Sequence, residues 1–225
     1  MKISIIVPVL NERERLGKLL DILQKTRSLG HEVVIVDGGS DDGSMDLSSG
    51  RVNICVTHPG GRAIQMNAGA ALASGDILLF LHADTVLPEH FLSAVLTACN
   101  DGRERWGFFQ VRLSGEKWLF RIIETCMNLR SRLTSIATGD QCVFVTRQLF
   151  QQTGGYEEIP LMEDISLCGK LNAVSRPVIL NETVTTSSRR WQQRGIIKTI
   201  ITMWILRLAY SLGVNPARLA RLYYG

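Results

Sequence analysis

Short apolar runs alternate with amphipathic segments over the first 84 residues. The runs at 3–9, 33–36 and 77–81 are almost wholly apolar, which predicts strands buried on both faces of a parallel sheet. The segment after the first run repeats leucine at helical spacing (Leu16, Leu19, Leu20 and Leu23). A further strand is predicted at 52–56, and a helix begins near Gly60. The rhythm predicts a right-handed, mostly parallel α/β sheet between helices.

Two of the buried runs end at side chains that can bind a metal ion or transfer a proton. The second delivers Asp37, and the third is followed by His82 and Asp84. Ligands of open α/β sheets bind beyond the carboxyl ends of the strands. A carboxylate there, beside an imidazole, suits a divalent cation that holds a diphosphate. The alternative is a polar turn in which Asp84 caps the next helix.

The second half mixes strands and helices less regularly. Helices are predicted at 88–99 and 117–133, and strands at 107–113, 142–145, 178–180 and 182–186. Asn11, with Glu14 three residues later, is the predicted cap of the first helix. Residues 187–195 form a basic segment, and a short helix is predicted after Val214.

Residues 196–212 are apolar nearly all round if helical, but Lys198 and Arg207 interrupt them. A helix that spans a membrane needs about 20 apolar residues, so this segment is not expected to span one. It either packs against the body of the protein or lies in a membrane interface. Trp204, Tyr210 and flanking arginines favour the second option, and both remain open.

Composition excludes some classes of protein function but does not choose among the others. The hydrophobic fraction of 45% suits one globular domain of 225 residues, and the net charge of +4 is too small to indicate nucleic acid. Five scattered cysteines predict free thiols in a reducing cytoplasm. No signal peptide is recognised at the start, so a cytoplasmic location is expected. A dinucleotide or Walker-loop fold is excluded, because the first turn has no glycine.

Four motifs together resemble family 2 glycosyltransferases of the GT-A fold. They are Ile5–Glu12, Val36–Gly43, Gly61–Gly69 and His82–Asp84. The resemblance implies that Asp37 binds the nucleotide base, with Pro8, Asn11, Glu12 and Ala83 in the same pocket. It also implies that Arg62 lies near the nucleotide or its phosphates, which suits a cation.

The resemblance departs from the family at the metal motif. The usual Asp-x-Asp is replaced here by His82-Ala83-Asp84. Asp84 is the expected ligand of Mg²⁺ or Mn²⁺, whereas His82 suits Mn²⁺ better than Mg²⁺, which prefers oxygen. Otherwise His82 hydrogen-bonds a phosphate or a sugar hydroxyl, or packs as a structural imidazole.

Two adjacent carboxylates, Glu163 and Asp164, follow the turn Gly154–Tyr156. They either begin a helix, where the dipole favours acidic groups, or supply a general base. Transfer of a sugar with inversion needs a carboxylate to accept the proton of the acceptor hydroxyl. The arrangement resembles the base motif of the family, which implies Asp164 as the base and Glu163 as its neighbour.

Two further segments are expected beside the substrate. Asp140 and Gln141 precede a buried strand, and Arg189, Arg190 and Trp191 resemble an Arg-Trp element of the family. The two arginines are expected to close over the diphosphate, and Trp191 is expected to pack against the acceptor. For each, the alternative is an ordinary polar turn or loop.

The expected protein is a single-domain inverting transferase, similar to a small bacterial subgroup. Residues 1–84 would bind a nucleotide-sugar, by default linked to UDP, and about 85–195 would bind a hydroxyl acceptor. Residues 196–225 form an apolar extension that could contact the inner face of the membrane. The alternative is a non-catalytic module that binds a nucleotide-sugar or a membrane surface.

Overall fold

A computed structural model describes residues 1–224, apart from the side chain of Arg190. Within them, one eight-stranded sheet has the order β3-β2-β1-β4-β7-β6-β8-β5. The strands are β1 (Ile3–Val9), β2 (Glu32–Asp37), β3 (Ile54–Thr57), β4 (Ile77–Phe80), β5 (Thr85–Val86), β6 (Trp106–Leu113), β7 (Phe144–Thr146) and β8 (Val178–Thr186). The first four run parallel, and β7 opens an antiparallel region that extends the sheet. The predicted mixed, mostly parallel sheet is confirmed.

Helices cover both faces of this sheet. They are α1 (Arg13–Ser28), α2 (Ser44–Ser48), α3 (Arg62–Leu72), α4 (Phe91–Ala98), α5 (Trp118–Thr134), α6 (Arg147–Gln152), α7 (Glu163–Asn172), α8 (Arg189–Arg194), α9 (Ile196–Ser211) and α10 (Pro216–Tyr224). A 3₁₀ turn spans Gly139–Gln141.

The strands of the first half are buried on both faces, as their apolar runs predict. Because side chains alternate along a strand, Ile5 and Val7 pack with α1 and α4, whereas Ile6 points to the opposite core with α3 and α7. The same alternation divides β2. Two hydrophobic cores therefore lie on either side of one sheet, as in a three-layer α/β fold.

The parallel register brings the carboxyl ends of the first strands to one edge. Val9 pairs with Asp37, and Asp37 pairs with Thr57. Gln65 of α3 donates to the carbonyls of Val9 and Val36, at 2.9 and 2.8 Å, and so fixes the helix against this edge.

Several predicted elements differ from the structure. Residues 178–186 are one strand, because β8 pairs with β6 along its length through a register shift. Residues 187–195 are not a loop but include α8, and α2 and α6 were not expected. Asn11 does not cap α1: it is left-handed, with a φ of 54°, and its side chain accepts from the amide of Asp41.

The C-terminal helices pack on the start of α7. Leu206 of α9 and Tyr223 of α10 form a cluster with Met162, which immediately precedes Glu163. One side of α9 is nevertheless open to solvent, where Ile197, Ile201 and Ile205 are exposed. Within residues 1–224, no helix combines the length and hydropathy needed to cross a bilayer.

Candidate active site

Gly139 joins three predicted parts of the site. Its amide donates to Asp164 Oδ2 at 2.9 Å, and a Cβ placed on it would lie 2.3 Å from His82 Cε1. The 3₁₀ turn therefore lies directly between the imidazole after β4 and the carboxylate of α7. Only a residue without a side chain allows this approach.

Asp140 and His82 face each other at the same point. Asp140 Oδ1 lies 3.7 Å from His82 Nδ1, and the hydroxyl of Thr186 donates to the same oxygen at 3.5 Å. The His82 side chain is only 14% exposed. This geometry holds the ring beside the site instead of leaving it in solvent.

The two adjacent carboxylates begin α7 after an unusual backbone conformation. Met162 has a φ of 72°, which a residue with a side chain adopts at a cost that the surrounding structure must offset. Partial burial raises the pKa of Glu163 above its ordinary value, and the charge of Asp164 raises it further. Both carboxylates line the same cavity.

Arg62 lies at the start of α3, facing these acids. Crowding by protein atoms lowers the pKa of Arg62, but the charges of Tyr224, Glu163, Asp140 and Asp84 outweigh it and the net shift is upward. Arg62 as a whole residue is exposed, so its side chain remains accessible to an anionic ligand.

At the nucleotide edge, Asp37 is nearly buried and holds its own loop. Its carboxylate accepts from the amides of Gly39 and Ser40 at 2.9 and 2.8 Å, and from the Ser40 hydroxyl. Glu12 pairs with Arg15 and lies 3.8 Å from Arg189 of α8. The predicted lid residue thus reaches across to the nucleotide edge.

Other predicted site residues have different positions. Gln141 is fully buried, and its amide contacts Ser131 and the Phe109 carbonyl, which gives it a structural role in place of the expected substrate contact. Pro8 and Ala83 are also buried. Arg190 has a side chain outside the described part of the structure.

The donor groups fit a cation only if a ligand completes its coordination. Among the described residues, no group of three His, Cys, Asp or Glu side chains could hold a metal. Asp84 offers one carboxylate and His82 one ring nitrogen, so diphosphate oxygens would supply the remainder.

A cavity of about 590 Å³ opens from the carboxylates between α5 and α9. Its wall is mainly apolar and includes Ile123, Met127, Met203 and Trp204, with Trp191 of the predicted lid. Two arginines that the sequence did not single out for the site, Arg130 of α5 and Arg207 of α9, also line it. Arg207 interrupts an apolar run in the sequence. That interruption was the one feature from which its place in the cavity could have been suspected.

Comparisons with known proteins agree with this geometry. The profile of "Glycosyl transferase family 2" matches residues 4–147. The chain is 29% identical over 149 residues to the undecaprenyl-phosphate 4-deoxy-4-formamido-L-arabinose transferase of Yersinia pestis (strain Pestoides F), covering 61% of this chain and 44% of the relative. The chain therefore matches less than half the length of that relative.

Two solved structures have the same fold. S. aureus TarS 1-349 in complex with UDP superposes with a TM-score of 0.67 at 18% identity, covering 83% of this chain and 60% of that one. The mannosyltransferase PcManGT from Pyrobaculum calidifontis, in complex with GDP-Man and Mn²⁺, gives 0.66 at 19% identity, with coverages of 92% and 61%. Both have GT-A architecture. The family profile spans most of the sheet and the edge where the site lies, and we conclude that this chain belongs to glycosyltransferase family 2.

Proposed function

We propose that the protein transfers a sugar from a nucleotide-sugar to an acceptor hydroxyl with inversion, and that Asp164 is the general base. The observation that carries the proposal is the junction at Gly139. Gly139 donates to the carboxylate of Asp164 and packs against the imidazole that follows β4, and all three residues line the cavity. This arrangement supports a base and a donor side that one sugar could bridge.

In the proposed step, the acceptor oxygen attacks the anomeric carbon as the bond from that carbon to the diphosphate breaks. The hydroxyl proton passes to Asp164, and the nucleoside diphosphate leaves with the bonding electrons. The amide of Gly139 holds one oxygen of Asp164, which fixes the direction of the carboxylate. Arg62 supplies positive charge on the donor side.

The donor would bind along the edge formed by β1, β2 and β4. Asp37 and its loop face the base, and Arg189 lies across the edge near Glu12. A Mg²⁺ or Mn²⁺ ion held by Asp84, with or without His82, would supply further positive charge to the diphosphate. UDP is the donor nucleotide that we favour, since TarS was solved with UDP; the GDP-Man complex of PcManGT makes GDP the second candidate.

Ligand binding tests the donor part of the proposal. We expect UDP or GDP to raise the melting temperature, and Mn²⁺ to increase that shift, because a ligand of the native state stabilises it by mass action. Absence of any shift with either nucleotide, with and without the metal ion, would contradict nucleotide-sugar binding.

Release of nucleoside diphosphate from a panel of UDP- and GDP-sugars tests the catalytic part. Asp164→Asn should lower the rate by about 100-fold or more while nucleotide affinity stays unchanged. Glu158→Gln, at an exposed carboxylate nearby, is the matched control and should keep the rate. Equal turnover in the wild type and Asp164→Asn would favour the non-catalytic binding module instead.

We also propose that α9 contacts an anionic membrane surface. Its outward stripe is apolar and exposed (Ile197, Ile201, Trp204, Ile205, Leu208 and Leu212), and α5 exposes a similar stripe (Trp118, Ile122, Leu129 and Leu133). Arg194, Arg218 and Arg221 are exposed nearby in the chain. An apolar face with basic residues beside it suits peripheral binding to an anionic bilayer.

A further inference from the structure

We infer that the acceptor is an anionic amphiphile, whose charged group is bound by Arg130 and Arg207 beside Asp164 and whose apolar part lies between α5 and α9. The inference rests on the proposed function, because it names the acceptor class of the same site. It is carried by the two arginines, their missing partners and the apolar wall of the cavity.

The two arginines come from helices far apart in the chain and meet in one cavity. Arg130 lies on the inner side of α5 and Arg207 on the inner side of α9, and both line the space that Asp164 also lines. Neither makes an ion pair within the described residues. Arg130 donates to Ser131 at 2.9 Å, while Arg130 Nε and Arg207 Nη2 are buried with no hydrogen-bond partner.

Two buried cations close together without an ion-pair partner are costly. Burial lowers the pKa of Arg130 to about 10, and the charge of Arg207 contributes to that shift. Burial also lowers the pKa of Arg207, while Asp164 partly compensates at both residues. Asp164 acts on both guanidinium groups, and Asp140 also acts on Arg130. The buried Arg130 Nε and Arg207 Nη2 still have no hydrogen-bond partner, and they would donate charge-assisted hydrogen bonds to a phosphate or carboxylate of a ligand.

The wall of the cavity between α5 and α9 favours an acceptor with an apolar part. Between α5 and α9 the wall is mainly apolar, with Ile122, Met203 and Leu208 among its side chains. Ile122 and Leu208 belong to the exposed stripes of the two helices. The apolar part of a ligand would therefore extend from the arginines toward the surface that we propose to contact a membrane.

The roles of the three charged residues follow from their positions. The anionic group binds the arginines next to the reacting hydroxyl, and Asp164 accepts the proton of that hydroxyl. Arg130 and Arg207 thus act as acceptor-binding residues.

Octyl phosphate is the probe, with inorganic phosphate and octyl glucoside as comparisons, and binding is measured by calorimetry on the full chain. We expect octyl phosphate to bind, with the affinity rising about threefold to fourfold per methylene in a series from butyl to octyl phosphate. Octyl glucoside should bind at least tenfold more weakly. Equal affinity for octyl phosphate and octyl glucoside, or for octyl and inorganic phosphate, would overturn the inference.

Arg207→Gln should weaken octyl phosphate binding at least tenfold, and Arg207→Lys should weaken it less, which separates lost charge from a misfolded helix. Lys198→Gln removes a charge from the exposed side of the same helix and is the matched control; it should keep the affinity. Circular dichroism checks that each variant folds. Unchanged octyl phosphate binding by Arg207→Gln would overturn the inference, as would a loss confined to UDP binding, which would assign the arginines to the donor.

The two proposals fail separately. If octyl phosphate binds through Arg207 but no nucleotide binds, the proposed transferase function fails and the anionic site remains. If nucleotides bind and are turned over but octyl phosphate does not bind, the acceptor class alone is wrong.

Discussion

At the scale of single residues, the raised pKa of Glu163 makes the stability of the fold depend on pH. Its pKa is raised in the folded state, so folding binds a proton between the ordinary pKa of 4.5 and the raised value. Stability therefore falls as the pH rises through that interval. Glu163→Gln should raise the midpoint of urea unfolding at pH 7, and the gain should disappear below pH 4.5.

The exposed Glu158 provides the control for this prediction. Glu158→Gln should leave the urea midpoint unchanged at both pH values, because it lies in solvent. If Glu163→Gln instead destabilises the protein at pH 7, contacts of the charged carboxylate with Arg62 and His82 would outweigh its burial.

Glu32 shows the opposite effect of pH on stability, because its pKa is lowered in the folded state. Burial alone would raise its pKa, but hydrogen bonds from Ser4, Ser74 and Lys2 outweigh that effect and lower the pKa to about 2. Its contribution to stability is present above the ordinary pKa of 4.5 and is lost as the pH falls through about 2. Glu32→Gln should lower the free energy of unfolding at pH 7 by about 2 kcal/mol.

Chemical denaturation at pH 7 and at pH 2 measures this difference. The variant and the wild type should approach each other at the lower pH, since the wild-type carboxylate is then substantially protonated. A cost that does not change with pH would mean that the amide fits poorly, and would contradict a charge-dependent role.

At the scale of elements, the 3₁₀ turn is the most constrained part of the site. Gly139→Ala would place a methyl group 2.3 Å from His82 Cε1, so the ring or the turn must move. We expect turnover to fall by about 10- to 100-fold, because the turn also holds Asp164. Steady-state kinetics with the best donor of the panel measures the loss.

Gly169→Ala is the matched control in α7. No atom lies within 4 Å of a Cβ added there, and alanine is the better helix former. This variant should keep its activity and gain up to about 1 kcal/mol of stability. Equal activities for the two variants would show that the contact between Gly139 and His82 is unimportant for catalysis.

Elements whose pattern is local could be predicted from the sequence, and those that depend on packing could not. The runs that form β1, β2 and β4 have the apolar pattern of strands buried on both faces. Asp37, His82 and Asp84 could be predicted as site residues because they stand at the ends of two of these runs. α8 was not predicted, because the polar sequence of residues 189–194 has no apolar face. Gln141 carried the same local signal as Asp140, and only the contacts with Ser131 and Phe109 show that it faces the interior.

The acceptor-side arginines were missed for a related reason. On α5, Arg130 has the appearance of an ordinary charge on an amphipathic helix, and on α9, Arg207 reads as an interruption of an apolar run. The two arginines line one cavity only because α9 packs beside the start of α7, through Leu206 and Met162. No periodicity within either helix reports on that contact.

At the scale of the whole molecule, helix α9 borders both the cavity and an exposed apolar surface. α9 contributes Arg207 and Met203 to the cavity on one side, while its other side is apolar and exposed. The same helix would therefore bind the acceptor and contact the membrane from which an amphiphile comes. This arrangement favours capture of the acceptor from a bilayer over capture from solution.

Sedimentation with vesicles tests the contact of α9 with a bilayer. We expect binding to vesicles that contain phosphatidylglycerol, weaker binding to pure phosphatidylcholine, and a decrease at high salt, because basic residues contribute only near anionic headgroups. Ile201→Glu should lower the partition coefficient at least tenfold, since it places a carboxylate in the middle of the apolar stripe. Val174→Glu, at an exposed apolar residue after α7, is the matched control and should bind normally. If both variants bind like the wild type, the stripe does not face a bilayer, and the cavity between α5 and α9 must receive its acceptor from solution.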